Sequence, residues 1–366
     1  MRVIVKIGSS IVASHEGLNE GRIQSLSADI AALSDTGCDV VIVSSGAVAA
    51  GLKKLGLKQR PKEIRLKQAA AAIGQSSLMW AYEKAFGGYG KKVAQVLLTR
   101  EDISDRKRYV NSKNTLLALL EYGVIPVVNE NDTVTVDEIK FGDNDRLAAL
   151  VAALLGADRL VILSDVDGLY TADPGKSSSA SLISTVTEIT SGLKDIAGGQ
   201  GSAVGTGGMY SKLLAAEMAM RSGIIVNIIN GKRQGLLVSL LKGERHGTEF
   251  VPPKERLSAK KGWIAFGIRP KGSIVIDNGA KNALISKGKS LLPSGIISAG
   301  GGFETGDAVY CVDAAGVRIA KGLTNYSASE VEKIKGRKTT EIEGILGYKY
   351  SDEVIHRDNL VMLPKA

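Results

Sequence analysis

The chain has 366 residues, enough for about two domains, and its 44% hydrophobic content is ordinary for globular cores and excludes wholesale disorder. Its longest apolar run, 147–155, falls well short of the roughly 18 residues a membrane-spanning helix needs; Lys6 and Gly8 interrupt the N-terminus before a signal-peptide core could build up, so a cytoplasmic protein with no membrane contact is expected. The formal charge is +9, and between 251 and 290 nine cations face only Glu255 and Asp277. A basic stretch of that kind is either a solvated linker or an attractor of nucleic acid and other anions.

Up to about residue 250, short β-branched runs alternate with longer amphipathic segments, which predicts an α/β fold with a parallel sheet covered by helices. Strands are predicted over 3–7, 40–44, 93–97, 124–129, 160–163 and 224–228. Between them Ile23, Leu26, Ile30 and Leu33 recur at helical spacing, as do apolar residues over 64–85 and 147–155. Segments 173–181 and 197–208, rich in Gly and Ser, read as loops. After the Pro252-Pro253 break the texture changes to Gly-punctuated strands over 273–276, 296–299, 308–312 and 318–323, with one helix over 279–287. That pattern predicts a small β-barrel or sandwich. The two cysteines, Cys38 and Cys311, lie in segments that look like separate domains, so a disulfide or Cys-based zinc site is not expected and both read as small core residues.

Ligands of parallel sheets bind at the carboxyl ends of the strands, and here those ends hold the polar residues. Lys6-Ile7-Gly8 closes the first strand. An ammonium in a Val/Ile strand is costly unless it is paired or meets a ligand phosphate; the alternative is an edge-strand lysine whose head reaches water. Ser44-Ser45-Gly46 closes the second strand and opens a helix, where free N–H groups can face an anion. Farther on stand two Asn/Asp clusters, Asn129-Glu130-Asn131-Asp132 and Asp143-Asn144-Asp145, separated by a hairpin-like insert. They could grip the charged ends of an amino acid, although Asp143 and Asn144 would also serve as helix N-caps. Asp167-Gly168 suits a tight turn. The run 205–212, Gly-rich and ending in Lys212, can form a cation-assisted phosphate cradle at a helix N-terminus or a flexible capped loop. It is neither a Walker A loop nor a dinucleotide fingerprint. Only His15, His246 and His356 occur, none at triad or zinc-ligand spacing. Lysines, glycines and Asp/Asn clusters suit phosphoryl transfer, where positioning and charge neutralisation do most of the catalysis.

Together Lys6-Ile7-Gly8-Ser9, the run 44–51, Asn129-Glu130-Asn131-Asp132, Phe141-Gly142-Asp143-Asn144-Asp145, 164–170 and Thr206-Gly207-Gly208-Met209 with Lys212 resemble the amino acid kinase family over nearly the whole chain. The Lys-x-Gly, Asp-Gly-Leu-Tyr and Gly-Gly-Met-x-x-Lys elements are shared across that superfamily and imply its fold and ATP use. The others are more particular to the branch that phosphorylates the γ-carboxylate of glutamate and opens proline biosynthesis. The run 291–296 with Gly306-Asp307-Ala308-Val309 resembles a PUA domain, a fold common in RNA-modifying proteins.

The resemblance implies a three-layer αβα sandwich around a mainly parallel sheet, as the catalytic domain over 1–255, and a small β-barrel-like PUA domain over 271–350. It implies catalytic roles for Lys6, Lys212 and Asp145, the carboxylate holding the lysines in place. ATP contacts would come from Lys6, Ser164, Asp165, Thr206, Gly207, Gly208, Met209, Tyr210, Ser211 and Lys212, and L-glutamate contacts from Ser45, Asp132 and Asn144. Mg²⁺ would accompany ATP, held largely by its phosphates and by no assigned protein ligand. A homo-oligomer and feedback by proline are also implied. Tyr210 departs from the small residue of many relatives. A glutamate γ-carboxylate, with a pKa near 4.3, is ionised at pH 7 and needs no general base. The competing expectations are a sibling kinase with another acceptor and an RNA-binding PUA protein with a degenerate kinase domain.

Overall fold

Eight strands build the first sheet: β1 (Arg2–Ile7), β2 (Asp39–Ser44), β3 (Lys92–Leu98), β4 (Val124–Glu130), β5 (Arg159–Ser164), β6 (Thr185–Val186), β7 (Ile225–Asn230) and β8 (Thr248–Phe250). They lie in the order β3-β4-β2-β1-β5-β7-β8-β6, and every neighbouring pair is parallel except β7 and β8. The computed structural model describes the whole chain except residues 15–16, 58, 60, 136–143, 176, 178, 199–207, 254–256 and 364–366. It divides into two compact units, Met1–Arg256 and Leu257–Ala366.

The six predicted strands are present, five extended by a residue or two and the sixth shifted to Ile225–Asn230, because central parallel strands are apolar on both faces and stand out in the sequence. β6 and β8, two and three residues long, are too short for periodicity to reveal. Side chains alternate across the sheet. Val3, Val5 and Ile7 join the core formed with Ile23, Leu26 and Ile30 of α1 (Glu20–Asp35), while α2 (Ala47–Lys54) and α3 (Ile64–Gly87) add Ala47, Leu78 and Tyr82. Ile4 and Lys6 therefore face the opposite side, where α4 (Asn144–Leu155) packs on β1 and against α5 (Met209–Arg221). Helices thus cover both faces of the sheet.

Two glycines let α2 and α3 approach closely. A Cβ at Gly51 would fall 1.8 Å from the Ala70 carbonyl oxygen, and one at Gly74 would fall 1.7 Å from that of Ala47. Only hydrogen fits at either point. Gly168, in the predicted tight turn, is excluded from carrying a side chain for a similar reason, since its Cβ would lie 2.6 Å from Thr248 Oγ1.

In the second unit β9 (Gly272–Ile276), β10 (Ile296–Gly301), β11 (Ala308–Val312), β12 (Arg318–Leu323) and β13 (Leu360–Met362) form a sheet in the order β10-β9-β11-β12-β13. The four predicted strands are there. The predicted helix is α6 (Asn278–Lys287), capped by Asp277, whose side chain accepts from the Ala280 N–H, and ended by left-handed Gly288 at φ 55°. A further helix, α7 (Ala328–Ile334), starts at a Ser327/Glu330 capping box. The core of this unit gathers Ile274, Leu284, Phe303, Tyr326 and Ile342. Leu257, Trp263 and Ile268 pack with Ile264 against Ala308, Leu323 and Val361, and the buried Lys321 ammonium donates to the carbonyls of Ala265 and Ile268. Segment 257–268 therefore belongs to this unit.

The structure decides between the two readings of Lys6 and places both cysteines. Lys6 lies on a central strand and is 5% exposed, so it is no edge lysine reaching for water. Cys311 is buried, and burial pushes its thiol up to about 12, while Cys38, partly buried before β2, packs against the first core from its edge. In the basic stretch, Lys271 and Lys281 pair with Asp307 and Asp313, so part of its charge is offset within the unit itself. Among the described residues no helix is long and apolar enough to cross a membrane.

Candidate active site

Register brings the strand ends together: Ile7 lies beside Ser44 on one side and Leu163 on the other, and β4 runs beside β2. On the face shared with α4 and α5, three charges meet. Lys6 Nζ is 2.5 Å from Asp145 Oδ1, and Lys212 Nζ is 3.4 Å from Asp145 Oδ2. Lys6 comes from β1, Asp145 from the first turn of α4 and Lys212 from the first turn of α5. The lysines are 5% and 6% exposed and the aspartate 0%. Two ammoniums on one carboxylate leave the trio with a net positive charge. Two buried ammoniums held side by side offer charge-assisted donors that suit a phosphate. Gly8 completes the setting: a Cβ there would stand 3.8 Å from Lys6 Nζ, filling space beside the ammonium.

The expected ATP residues surround this trio only in part. Ser211 Oγ is 3.4 Å from Asp145 Oδ2. Gly208 is the N-cap of α5, with no side-chain cap, so the N–H groups of Met209 and Tyr210 open that helix. Ser164 is buried at the end of β5 with its hydroxyl 3.4 Å from Asp165 Oδ1, and Asp165 is exposed. Thr206 and Gly207 lie outside the described residues, as does most of the predicted Gly-rich loop. Among the described residues no group of three or more His, Cys, Asp or Glu side chains is placed to hold a metal ion.

On the other flank of β1 amides and hydroxyls are joined by hydrogen bonds, with the carboxylates of Glu130 and Asp132 at the end of β4 and in the turn beyond it. Asn144 Nδ2 donates to Ser45 Oγ at 2.8 Å, to the Ser44 carbonyl at 2.9 Å and to Asn129 Oδ1 at 2.9 Å. The sequence offered Asn144 as an N-cap, but its side chain crosses to β2 and β4. Ser45 and Asn144 are thus joined directly, as an acceptor subsite would require. Gly46, at φ 109°, turns the chain sharply from Ser45 into α2. Asp132 sits, partly buried, in the turn after β4, where Thr135 Oγ1 donates to the Asn131 carbonyl.

Sequence reasoning missed the support beneath these groups. Asn129 was visible only as part of its motif, and Gln75 and Tyr82 not at all as site residues. Asn129 Nδ2 donates to Gln75 Oε1 at 2.9 Å, and Tyr82 Oη shares a 2.9 Å hydrogen bond with Ser44 Oγ. Burial pushes the Tyr82 hydroxyl well above its ordinary value, with the Ser44 bond opposing. The signal available was spacing: Gln68, Gln75 and Tyr82 recur every seven residues in α3, which returns them to one helix face. Asp167, from the shared Asp-Gly-Leu-Tyr motif, accepts from Asn230 Nδ2 and pairs with Arg233, which gives that motif a structural part.

Buried lysines, bare helix N-termini and glycine-relieved strand ends, all at the carboxyl edge of a mainly parallel αβα sandwich, define a phosphate-handling α/β enzyme. The sequence profile of the amino acid kinase family matches residues 1–230, and a PUA-domain profile matches 272–346. The chain belongs to the amino acid kinase family. It is 53% identical over 363 residues to a glutamate 5-kinase of Citrifermentans bemidjiense, covering 99% of this chain and 97% of that one. Identity to a glutamate 5-kinase of Caldanaerobacter subterraneus subsp. tengcongensis is also 53%, over 367 residues, 100% of this chain and 99% of the relative. Among solved structures, the carbamate kinase from Giardia lamblia bound to AMP-PNP matches with a TM-score of 0.53 at 17% identity, over 69% of this chain and 98% of that one. An isopentenyl phosphate kinase matches with a TM-score of 0.50 at 17% identity, over 69% of this chain and 100% of its own. These two likenesses concern the fold alone.

Proposed function

We propose that this chain transfers the γ-phosphoryl group of ATP to the γ-carboxylate of L-glutamate, giving L-glutamyl 5-phosphate, the first step of proline biosynthesis. The observation that carries the reading is the buried Lys6–Asp145–Lys212 trio at the strand ends, beside the Ser45–Asn144 pair. Full-length relatives named glutamate 5-kinase at 53% identity support the choice of acceptor.

In this reading the acceptor carboxylate arrives ionised and attacks the γ-phosphorus directly. The difficulty is to bring one anion up to a polyanion, and the chain meets it with fixed positive charge. Lys6 and Lys212 neutralise the moving phosphoryl group, and Asp145, accepting from both, holds the ammoniums in place before the substrates arrive. The N–H groups opening α5, with Ser164 and Asp165, hold the nucleotide. Ser45, Asp132 and Asn144 orient the amino acid so that the reacting oxygen lies in line. Mg²⁺, bound with ATP, supplies further charge neutralisation on the phosphates.

The test is ATP turnover by the purified protein with L-glutamate, L-aspartate and N-acetylglutamate side by side. Glutamate-dependent ADP release at least tenfold above the other two is expected; equal or greater turnover with either alternative contradicts the assignment of the acceptor.

A further inference from the structure

The acceptor flank is held from below by one helix. α3 presents Gln68, Gln75 and Tyr82 at intervals of seven residues, and each meets a different segment of that flank. Gln68 Nε2 donates to the Thr135 carbonyl at 3.0 Å, in the turn that carries Asp132. Gln75 Oε1 accepts from Asn129 Nδ2, and Tyr82 Oη meets Ser44 Oγ. Gln75 is the central contact, 9% exposed, and neighbouring Gly74 brings α3 onto the start of α2.

We infer that Gln75 is a positioning residue that sets the polarity of the amides in the acceptor site, and so its preference for a substrate bearing an ammonium group. The inference rests on the glutamate reading above. Asn129 is 3% exposed, and its two ends are spoken for differently: Oδ1 accepts from the Glu130 N–H and from Asn144 Nδ2, while Nδ2 donates to Gln75 Oε1. Gln75 Oε1 and the Glu130 N–H together hold Asn129 with its oxygen toward Asn144. Asn144 must then use its Nδ2 toward Asn129, Ser44 and Ser45. Its Oδ1 takes no part in those bonds and is the atom left for an incoming donor. An α-ammonium is a donor of that kind, and a carboxylate is not. Gln75 Nε2 is in turn directed at Gln95 Oε1, 3.2 Å away on β3. Gln75, Asn129 and Asn144 thus form one hydrogen-bonded relay beneath the site.

The relay predicts a split that packing alone does not. In Gln75→Met, of similar length but without the acceptor, Asn129 Nδ2 loses its partner. The glutamate KM should rise about tenfold, as for one lost buried hydrogen bond, with the ATP KM unchanged. The kcat/KM ratio of L-glutamate over glutarate, which lacks the ammonium, should fall by about the same factor. Gln75→Glu keeps an oxygen toward Asn129 and should hold both quantities within about threefold of wild type, Gln95 turning its amide to donate. Unchanged glutamate KM and glutarate discrimination in a folded Gln75→Met protein overturn the inference. So does a tenfold KM increase in Gln75→Glu, which keeps the test decisive even if Gln75→Met does not fold. Wild-type protein in the same assay separates the two claims: no glutamate turnover there strikes the proposed function, whereas turnover with an unmoved Gln75→Met strikes the relay alone.

Discussion

The two flanks of β1 are built from opposite materials. Toward α4 and α5 the strand ends meet two lysines on one buried aspartate; toward α2, α3 and β4 they meet a network of amides and hydroxyls, ordered by hydrogen bonds between Asn144, Ser45, Asn129 and Gln75, with no lysine or arginine among them. Fixed charge is useful where charge moves during a reaction, because its stabilisation grows in the transition state. Neutral, mutually oriented dipoles are useful where one shape must be read among similar ones, since a misplaced donor or acceptor leaves a buried group unpaired. In the proposed function, phosphoryl chemistry falls to the first flank and recognition of the amino acid to the second.

The sharpest way to break this division is at the charged flank. Lys6→Ala and Lys212→Ala should each lower kcat by about 10²–10³ with the fold intact, the loss expected for one transition-state charge stabiliser. Stopped-time ADP assays with a melting curve would check it, and activity within threefold of wild type would remove that lysine from the chemistry. Next in size is the support of the amide flank. Gly74→Ala forces a Cβ to within 1.7 Å of the Ala47 carbonyl, so α2 and α3 must separate, at a cost of about 1–3 kcal/mol read as a lower midpoint in urea. Asn144→Ala and Asp132→Ala should raise the glutamate KM by about tenfold and leave the ATP KM unmoved; an increase confined to ATP would reverse the two subsites. The smallest effect is expected from removing the second unit. Each unit has its own core, and all residues assigned to chemistry lie between Lys6 and Lys212. A chain ended at Arg256 should melt cooperatively and keep turnover within about threefold; a folded but inactive truncation would mean that the second unit contributes to the site.

The sequence made the sheet legible because its central strands are apolar on both faces and end in Gly and Ser, and it marked Lys6 as anomalous in such a strand. What made Lys6 interpretable was Asp145, far along the chain, and no periodicity connects the two. The same holds for Gln75 and Asn129, 54 positions apart: Asn129 stood in a marked cluster, but Gln75 looks ordinary where it stands, and only folding makes one the partner of the other. Gly51 was visible as part of a motif, but its reason, contact with the Ala70 carbonyl, belongs to helix packing. Thr206 and Gly207, expected at the nucleotide, lie outside the described residues.

The division between flanks is tested most directly by calorimetric titration of Lys212→Ala and Asn144→Ala with AMP-PNP and with L-glutamate in the presence of Mg²⁺. The account predicts a crossed result: Lys212→Ala weakens AMP-PNP by about tenfold or more and spares glutamate, while Asn144→Ala weakens glutamate similarly and spares AMP-PNP. Equal weakening of both ligands by either substitution, or the reverse crossing, would contradict it.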